Sequence, residues 1–282
     1  MSGTDWSPWL GNTRDEVDWV TATRVAAWNA TLDRDLPFPR DGDPAPAGFH
    51  WTLCPPLARA SELGPDGHAR TGSFLPDTGL PRRMWAGSRL SVRGPLRVGD
   101  RVDRRSTVDG ITDKEGRHGP LVFVTVRHSF VANGATVLEE EQDLVYRGAA
   151  RPPAPRGVSG EARPPGRWRR TVTPTETLLF RYSALTFNGH RIHYDRPYAE
   201  QMEGYPGLVV HGPLIASMLL LLVERELPGR AIERFQFRAL QPTFDIGPFE
   251  IHGNPGPEPN HIRLWSTTTD AAVAVEADAW IR

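Results

Sequence analysis

The sequence predicts an α+β fold made of two related halves, each an antiparallel β-sheet packed around an apolar helix. Three observations lead to this prediction: a linker divides the chain, strand patterns follow helical patterns in each half, and a short motif recurs. The linker covers residues 151–168 and is rich in Pro, Gly and Arg, a composition typical of extended spacers. It predicts domains over residues 1–150 and 169–282, both of ordinary domain size.

The recurring motif relates the two halves to each other. Leu96–Val102 and Phe244–Glu250 each place two apolar residues in alternation ahead of a glycine and the start of a strand. A strand-like run of residues precedes the motif in both halves. A repeat unit of this length indicates a duplicated domain rather than a solenoid.

In the first half, helical spacing over Val17–Leu32 predicts one helix. Strand patterns follow it, and the alternation of apolar and polar residues in VFVTVRHSFV is typical of a half-buried antiparallel strand. The pair Asn133-Gly134 predicts a hairpin turn between the last two strands. The predicted strands are Arg89–Val92, Arg101–Val108, Leu121–Ala132 and Thr136–Tyr146.

In the second half, Thr173–Thr186 has a helical pattern that Thr175 can cap, and Leu214–Glu226 is a second, strongly apolar helix. Its apolar stretch is too short to span a bilayer. A helix that is apolar on nearly all sides must be buried on most of them, so we expect the sheet to wrap around it. This arrangement is a double hot-dog. The predicted strands are Arg234–Leu240, Phe249–His252, His261–Thr267 and Ala272–Ile281.

Composition narrows the classes of function. The formal net charge is -1 at pH 7, so nothing attracts the chain as a whole to a nucleic acid. The first residues lack the basic and apolar regions of a signal peptide. The single cysteine, Cys54, excludes an intramolecular disulfide and fits a structural rather than a nucleophilic role. We therefore expect a cytoplasmic protein without a nucleic-acid or membrane partner.

The segment Phe180–Leu214 carries the residues best suited to chemistry. It holds three of the nine histidines, His190, His193 and His211, between two apolar helices. Catalytic groups often lie on loops held by a rigid scaffold, and histidine can move a proton near neutral pH. The cluster therefore predicts general acid–base catalysis. Surface-loop histidines or satisfied core histidines are the alternative.

Other kinds of chemistry find less support in the sequence. A metal-ligand set of His190, His193, Asp195 and His211 matches no spacing known for zinc sites, so we expect no metal. The nucleophile-elbow pattern GxSxG is absent. Neither a GxxxxGK loop nor a convincing GxGxxG occurs, and no nucleotide cofactor is predicted.

The start of the apolar helix offers a second functional element. Pro213 suits a first helical turn, where a missing N–H costs nothing. The free N–H groups around Val210–Gly212 would favour negative charge, such as that developing on the oxygen of an enolate-like thioester. A plain Gly-Pro helix start is the alternative.

The runs Thr186–Asp195 (TFNGHRIHYD) and Gly207–Gly212 (GLVVHG) resemble signature segments of the MaoC-like, R-specific enoyl-CoA hydratases. The closer likeness is to the branch that contains hydroxyacyl-thioester dehydratase type 2 and mesaconyl-C4-CoA hydratase. The resemblance implies cofactor-independent, reversible hydration of an acyl-CoA substrate by a homo-oligomer, a dimer or higher. It also implies a double hot-dog whose second half is catalytic, with a non-catalytic first half that shapes the substrate tunnel.

Position by position, the resemblance places His193 on the family's catalytic histidine and Asn188 on its catalytic aspartate. An amide cannot take a proton, but the carbonyl oxygen of Asn188 can hold a water. Either His193 then carries the proton alone or His190 assists it.

A dicarboxylyl thioester would need a cation for its free carboxylate, for which Arg191 and Arg181 are the candidates. Surface salt bridges explain both arginines equally well. We also expect Tyr194, Val210, His211 and Gly212 to contact the substrate. A hot-dog thioesterase and a non-catalytic acyl-thioester binding protein are the other functions that the sequence leaves open.

Overall fold

The structure is a computed structural model, and it describes residues 4–116, 119–148 and 163–282. In chain order the first half contains β1 (Thr13–Trp19), α1 (Ala22–Thr31), β2 (Arg82–Val92), β3 (Arg101–Gly116), β4 (Gly119–Ala132) and β5 (Ala135–Arg147). The second half contains β6 (Trp168–Val172), α2 (Glu176–Thr186), α3 (Gly212–Glu226), β7 (Ile232–Ala239), β8 (Phe249–Pro255), β9 (His261–Thr267) and β10 (Val273–Ile281).

The strands of both halves form one continuous antiparallel sheet, in the order β1-β3-β4-β5-β2-β7-β10-β9-β8-β6. The halves join where β2 pairs with β7, from Gly87 opposite Arg238 to Ser91 opposite Arg234. A side chain at Gly87 would clash with the carbonyl oxygen of Phe237, so the junction requires a glycine. The two sheets expected from the sequence are thus joined edge to edge.

Helix α3 is the centre of the second half. Ten of its residues are buried, and it packs against β8, β9 and β10 and against β6 and β2. Its one buried hydroxyl, on Ser217, donates to the carbonyl oxygen of Pro213 one turn earlier at 2.7 Å, which satisfies the group without a partner from the sheet. The apolar sequence of this helix is therefore matched by burial on nearly every side.

The first half differs from the second in its helix. Helix α1 packs against α2, where Trp28 lies 6.0 Å from the ring of Tyr182. In the place that corresponds to α3, the first half has only a short 3-10 turn, Phe49–Thr52. The recurring motif shows the correspondence: Arg97 bridges to Pro44 just before this turn, as Phe244 bridges to Val209 just before α3.

Most predicted elements are confirmed, with some shifts at their ends. The turn at Asn133 and Gly134 has φ values of 52° and 75°, as a two-residue hairpin requires, and the Thr175 side chain caps α2. The predicted first helix began too early, because Val17 lies in β1, which pairs with β3. Of the predicted linker, residues 151–162 lie outside the described residues, and Trp168 begins β6. Within the described ranges, none of the helices is both long and apolar enough to cross a bilayer.

Candidate active site

The loop after α2 is shaped by its own polar groups. Helix α2 ends at Thr186, and the next residue, Phe187, has a left-handed φ of 51°. The backbone N–H of Asn188 then donates to the Ser183 carbonyl at 2.9 Å. The Asn188 side-chain oxygen accepts the N–H of His190 at 3.0 Å. The backbone of the loop therefore takes up one of the two lone pairs of the oxygen that is expected to hold a water.

The next turn positions His193, whose side chain is buried with 7% exposure. Its Nδ1 lies 2.7 Å from the carbonyl oxygen of Val209. A carbonyl can only accept, so Nδ1 carries the proton and Nε2 is left with a free lone pair. Burial lowers the pKa of His193 to about 4. The ring is therefore a neutral proton acceptor at neutral pH.

The ring of His211 packs against the ring of His193. The two rings are stacked, with centroids 3.6 Å apart and planes at 17°, and His211 Nε2 lies 2.8 Å from the Ser183 hydroxyl oxygen. Burial also holds the pKa of His211 well below its ordinary value. The structure therefore gives the His211 ring a packing role against His193, rather than the substrate contact expected from the sequence.

A loop of the first half lies directly on this second-half loop. The backbone N–H of Arg191 donates to the Asp66 carbonyl at 2.9 Å, and the Arg191 side chain donates to the Pro65 carbonyl at 2.9 Å. Gly67 has a φ of 89° and comes so close to Gly189 that any side chain would clash with its carbonyl oxygen. The segment 64–70 is therefore fixed against the candidate catalytic residues.

This contact brings in two residues that were missed in the sequence, Asp66 and His68. His68 Nδ1 lies 2.8 Å from a carboxylate oxygen of Asp66, and its ring lies 4.1 Å from that of His190. The His190 ring in turn is 5.5 Å from His193. Burial and the nearby charge of Arg83 lower the pKa of His68 to about 4. The run Asp66-Gly67-His68 is the signal that could have indicated this pair.

Two adjoining pockets open beside these histidines, and both are lined by Asp66, Pro81 and Arg83. The larger has a volume of about 410 Å³ and reaches His68, and the smaller reaches His190. His193 lines neither of them. His193, which the family resemblance identifies with the catalytic histidine, thus lies behind the ring of His190 as seen from the smaller pocket.

The two neighbouring arginines at the pocket differ in their partners. Arg82 forms an ion pair with Glu203 and donates to the Tyr205 hydroxyl at 2.6 Å. Among the described residues, no carboxylate lies within ion-pair distance of Arg83, although that residue is only partly exposed. A positive charge without a paired carboxylate therefore lines both pockets.

The arginines and the tyrosine expected to bind substrate lie elsewhere or are engaged. Arg191 pairs with Asp195 through Nη2 at 2.7 Å and Nε at 2.9 Å. Arg181 is exposed on α2, two residues before Ser183, and so points away from the face that meets His211. Tyr194 is 48% exposed and donates to the Gly189 carbonyl. The structure therefore does not bring these three side chains into the histidine cluster.

The start of α3 retains part of the expected anion site. The Val210 N–H donates to the Thr243 carbonyl at 2.8 Å, so it is not available as the sequence suggested. The N–H groups of His211 and Gly212 have no acceptor among the described residues. A side chain added at Gly212 would meet nothing within 4 Å, so there is space for a ligand atom beside this helix start.

One set of side chains has the composition of a metal site. The ligand atoms of Asp66, His68 and His190 all lie within 4.8 Å of one another. This is not the set considered from the sequence, since Asp195 pairs with Arg191 and His211 with Ser183. The Asp66 carboxylate already accepts an N–H of His68, and the positive charge of Arg83 opposes a cation. These contacts favour a hydrogen-bonded pair over a metal centre.

Comparison with known proteins agrees with this architecture. The family model of hydroxyacyl-thioester dehydratase type 2 matches residues 48–245. A mesaconyl-C(4)-CoA hydratase of Chloroflexus aurantiacus is 44% identical over 98% of both chains. The solved structure of a MaoC-like dehydratase from Phytophthora capsici has a TM-score of 0.71 at 13% identity, over 99% of both chains.

A Mycobacterium tuberculosis protein described as having a double hot-dog fold matches with a TM-score of 0.57 and 14% identity, over 97% of this chain and 96% of that one. The fold class predicted from the sequence is therefore confirmed. The match of the family model extends over more than half of the chain, and the Chloroflexus relative spans nearly all of it. This chain belongs to the hydroxyacyl-thioester dehydratase type 2 family.

Proposed function

We propose that the protein catalyses the reversible addition of water to a 2-enoyl-CoA, which gives a 3-hydroxyacyl-CoA. The observation that carries the proposal is the hydrogen bond between His193 Nδ1 and the Val209 carbonyl, which leaves Nε2 as a proton acceptor. Burial keeps this ring neutral at neutral pH. The names of the family and of the Chloroflexus relative support the same reaction.

The reaction follows from the groups around His193. Nε2 takes a proton from a water molecule while the water oxygen bonds to the β carbon of the enoyl group. The electrons of the double bond move to the thioester oxygen, where the N–H groups of His211 and Gly212 stabilise the negative charge. A proton then returns to the α carbon, and the α–β double bond is replaced by C–H and C–OH. Acid–base help of this kind contributes about 10²–10⁴-fold.

The two halves have different parts in this proposal. The second half supplies His193 and the start of α3. Every residue that lines the larger pocket belongs to the first half, within residues 64–83 and at Tyr146. This placement supports a first half that shapes the substrate site, with domains divided as the linker predicts.

For the substrate, we propose a dicarboxylyl thioester, as the name of the Chloroflexus relative suggests. Its free carboxylate needs a cation, and Arg191 is already paired with Asp195. Arg83 lines both pockets and has no paired carboxylate among the described residues. We therefore assign the carboxylate to Arg83 in place of Arg191 and Arg181.

The test measures the absorbance of the conjugated thioester during hydration of mesaconyl-C4-CoA and of crotonyl-CoA. His193→Asn keeps a donor for the Val209 carbonyl but removes the basic Nε2, so kcat should fall about 10²–10⁴-fold. His261→Asn is the control, because that histidine pairs with Asp278 at the sheet, away from the cluster. Unchanged turnover in His193→Asn would contradict the proposal.

The same assay separates the other functions. A thiol reagent detects free CoA, which a thioesterase would release and a hydratase would not. Binding of the thioester without any change in absorbance would indicate a non-catalytic binding protein.

We also propose that the protein is a homo-oligomer and is located in the cytoplasm. Light scattering of the purified protein and fractionation of its host cell test these two statements.

A further inference from the structure

We propose that His68, oriented by Asp66, is a second proton-transfer residue of this site and is contributed by the first half of the chain. The inference rests on the proposed hydration reaction. It assigns a catalytic residue to the first half, which the family resemblance implies to be non-catalytic. Asp66 acts through His68, as a positioning residue.

The reaction has two proton transfers, one from water and one to the α carbon. The family resemblance pairs the catalytic histidine with an aspartate, but here that position is Asn188, which has no basicity. The side-chain oxygen of Asn188 is already bound to the His190 N–H. A second proton-transfer group would therefore come from another part of the molecule.

His68 meets the geometric requirements for that role. Like His193, it has its Nδ1 fixed by an acceptor, at 2.8 Å from Asp66, so its Nε2 is the nitrogen available for chemistry. Unlike His193, it lines the larger pocket. The acceptor is a carboxylate, which stabilises the imidazolium that forms when the ring takes a proton.

His190 lies between the two imidazoles. Its ring is 4.1 Å from His68 and 5.5 Å from His193. In hydration, the proton that His193 takes from water passes through His190 to His68, and His68 delivers it to the α carbon. The hydroxyl remains on the β carbon, and His193 and His68 end the turnover in their starting states. His190 takes the proton on one ring nitrogen and gives up the proton of the other, and exchange with solvent restores its tautomer before the next turnover. Dehydration runs the same path in reverse.

The position of His68 is set by contacts across the two halves. Its loop is held by the bond from the Arg191 N–H to the Asp66 carbonyl and by the close approach of Gly67 to Gly189. The residues that hold the first-half loop thus belong to the same turn as His190 and His193. Contacts of this kind hold a catalytic side chain at a fixed distance from the residue it works with.

The experiment compares His68→Asn with His128→Asn in the hydration assay. Both histidines belong to the first half, and desolvation lowers the pKa of each to about 4. His68 is partly exposed and lines the larger pocket, whereas His128 is buried and lines neither pocket. We expect His68→Asn to lower kcat about 10²–10³-fold, with KM nearly unchanged and a larger solvent deuterium isotope effect. His128→Asn should leave all three quantities unchanged.

Two further variants guard against an effect of misfolding. Asp66→Asn keeps an oxygen that can accept from Nδ1 but lacks the charge, so kcat should fall less than in His68→Asn, at unchanged KM. Added imidazole should restore part of the kcat lost in His68→Ala, because the pocket of about 410 Å³ has room for the ring.

Three results would overturn the inference. The first is equal kcat in His68→Asn and His128→Asn, and the second is a folded His68→Ala variant that imidazole does not restore. The third is stoichiometric binding of Zn²⁺ in equilibrium dialysis that Asp66→Asn abolishes, since a metal would occupy the nitrogen that moves the proton. No turnover by the unaltered protein on any enoyl-CoA would instead refute the proposed function and this inference together.

Discussion

Two groups of buried histidines lie in this molecule, and their surroundings differ. In the first half, His50 Nε2 lies 3.4 Å from a carboxylate oxygen of Glu140, and the other carboxylate oxygen accepts from the Trp51 indole at 3.0 Å. The nearby His128 has Nδ1 2.8 Å from the Ser106 hydroxyl oxygen. Among the described residues, neither pocket reaches this group.

The group at the candidate site has the opposite features. His193 and His211 are stacked on each other, and among the described residues neither ring has a carboxylate partner. His68 and His190 line the pockets. Burial of a histidine therefore does not by itself mark a functional site. In the second cluster, His193 and His68 each combine a fixed Nδ1 with an Nε2 that has no protein partner, and a cavity adjoins the cluster. In the first group, both ring nitrogens of His128 have partners.

Two substitutions, one in each group of histidines, should have large but opposite effects on stability and on turnover. Glu140→Ala leaves the buried His50 and the partly buried Trp51 without their carboxylate partner, so it should lower the free energy of unfolding by about 1–3 kcal/mol. The variant that folds should keep the kcat of the unaltered protein. His193→Asn should do the reverse, with a large loss of kcat and little loss of stability. Urea unfolding and the hydration assay on both variants measure this contrast.

A loss of kcat in folded Glu140→Ala that matches the loss in His193→Asn would break the distinction. It would mean that the first-half group takes part in the reaction although no described pocket reaches it.

The next effect concerns the helix start, which the first half lacks. Gly212→Pro removes one of the two unpaired N–H groups, and a proline is tolerated at a first helical turn. The preceding His211 already has an extended backbone with ψ of 129°, which suits a residue before proline. We expect kcat to fall about 10²–10³-fold through loss of an oxyanion donor.

Gly212→Ala is the matched control, because the added methyl group meets nothing within 4 Å and the N–H remains. Its kcat should equal that of the unaltered protein. An equal loss in both variants would show that the backbone conformation, and not the N–H donor, matters at Gly212.

The sequence predicted the parts of the fold and site that depend on local pattern. The buried face of α3, the Asn133-Gly134 turn and the cap at Thr175 all follow from residues close together in the chain. The importance of His193 came from its crowded segment and from the family resemblance. The hydrogen bond to the Val209 carbonyl, which sets the tautomer of His193, joins residues of that same segment.

The parts that were missed depend on contacts between distant residues. Asp66 and His68 reach His190 only because Gly67 allows two backbones to approach closely, and no periodicity in the sequence encodes that approach. Arg83 could not be separated from Arg82 by sequence, since only the fold shows that Glu203 pairs with Arg82. Strand β1 was missed because its outward residues Val17 and Trp19 are apolar, and their spacing with the following helix imitated helical periodicity.

A smaller effect tests the assignment of Arg83. Arg83→Gln removes the charge but keeps hydrogen-bonding groups, so kcat/KM for mesaconyl-C4-CoA should fall by about 10–100-fold, as expected for loss of a charged hydrogen bond. The value for crotonyl-CoA, which has no free carboxylate, should stay the same. Arg191→Gln is the control and should affect both substrates equally, because its charge is paired with Asp195. Equal losses on both substrates in Arg83→Gln would contradict the assignment.

The smallest effect compares the two histidine groups directly through the pH dependence of stability. Burial lowers the pKa of both His193 and His128 from 6.5 to about 4. Between these values the unfolded chain binds the proton more readily than the folded chain, so stability is lost as the pH falls from 6.5 toward 4. Each histidine contributes a slope of at most about 1.4 kcal/mol per pH unit.

His193→Asn and His128→Asn should therefore flatten the dependence of the unfolding free energy on pH by similar amounts, measured by urea unfolding between pH 7 and pH 5. The depressed pKa of Glu140, about 2, does not interfere, because that carboxylate affects stability only below its unfolded value of 4.5. Of the two variants, only His193→Asn should also lose kcat. Equal slopes with unequal activity would show that a lowered pKa reports burial, whereas catalysis depends on which ring nitrogen is free and what it can reach.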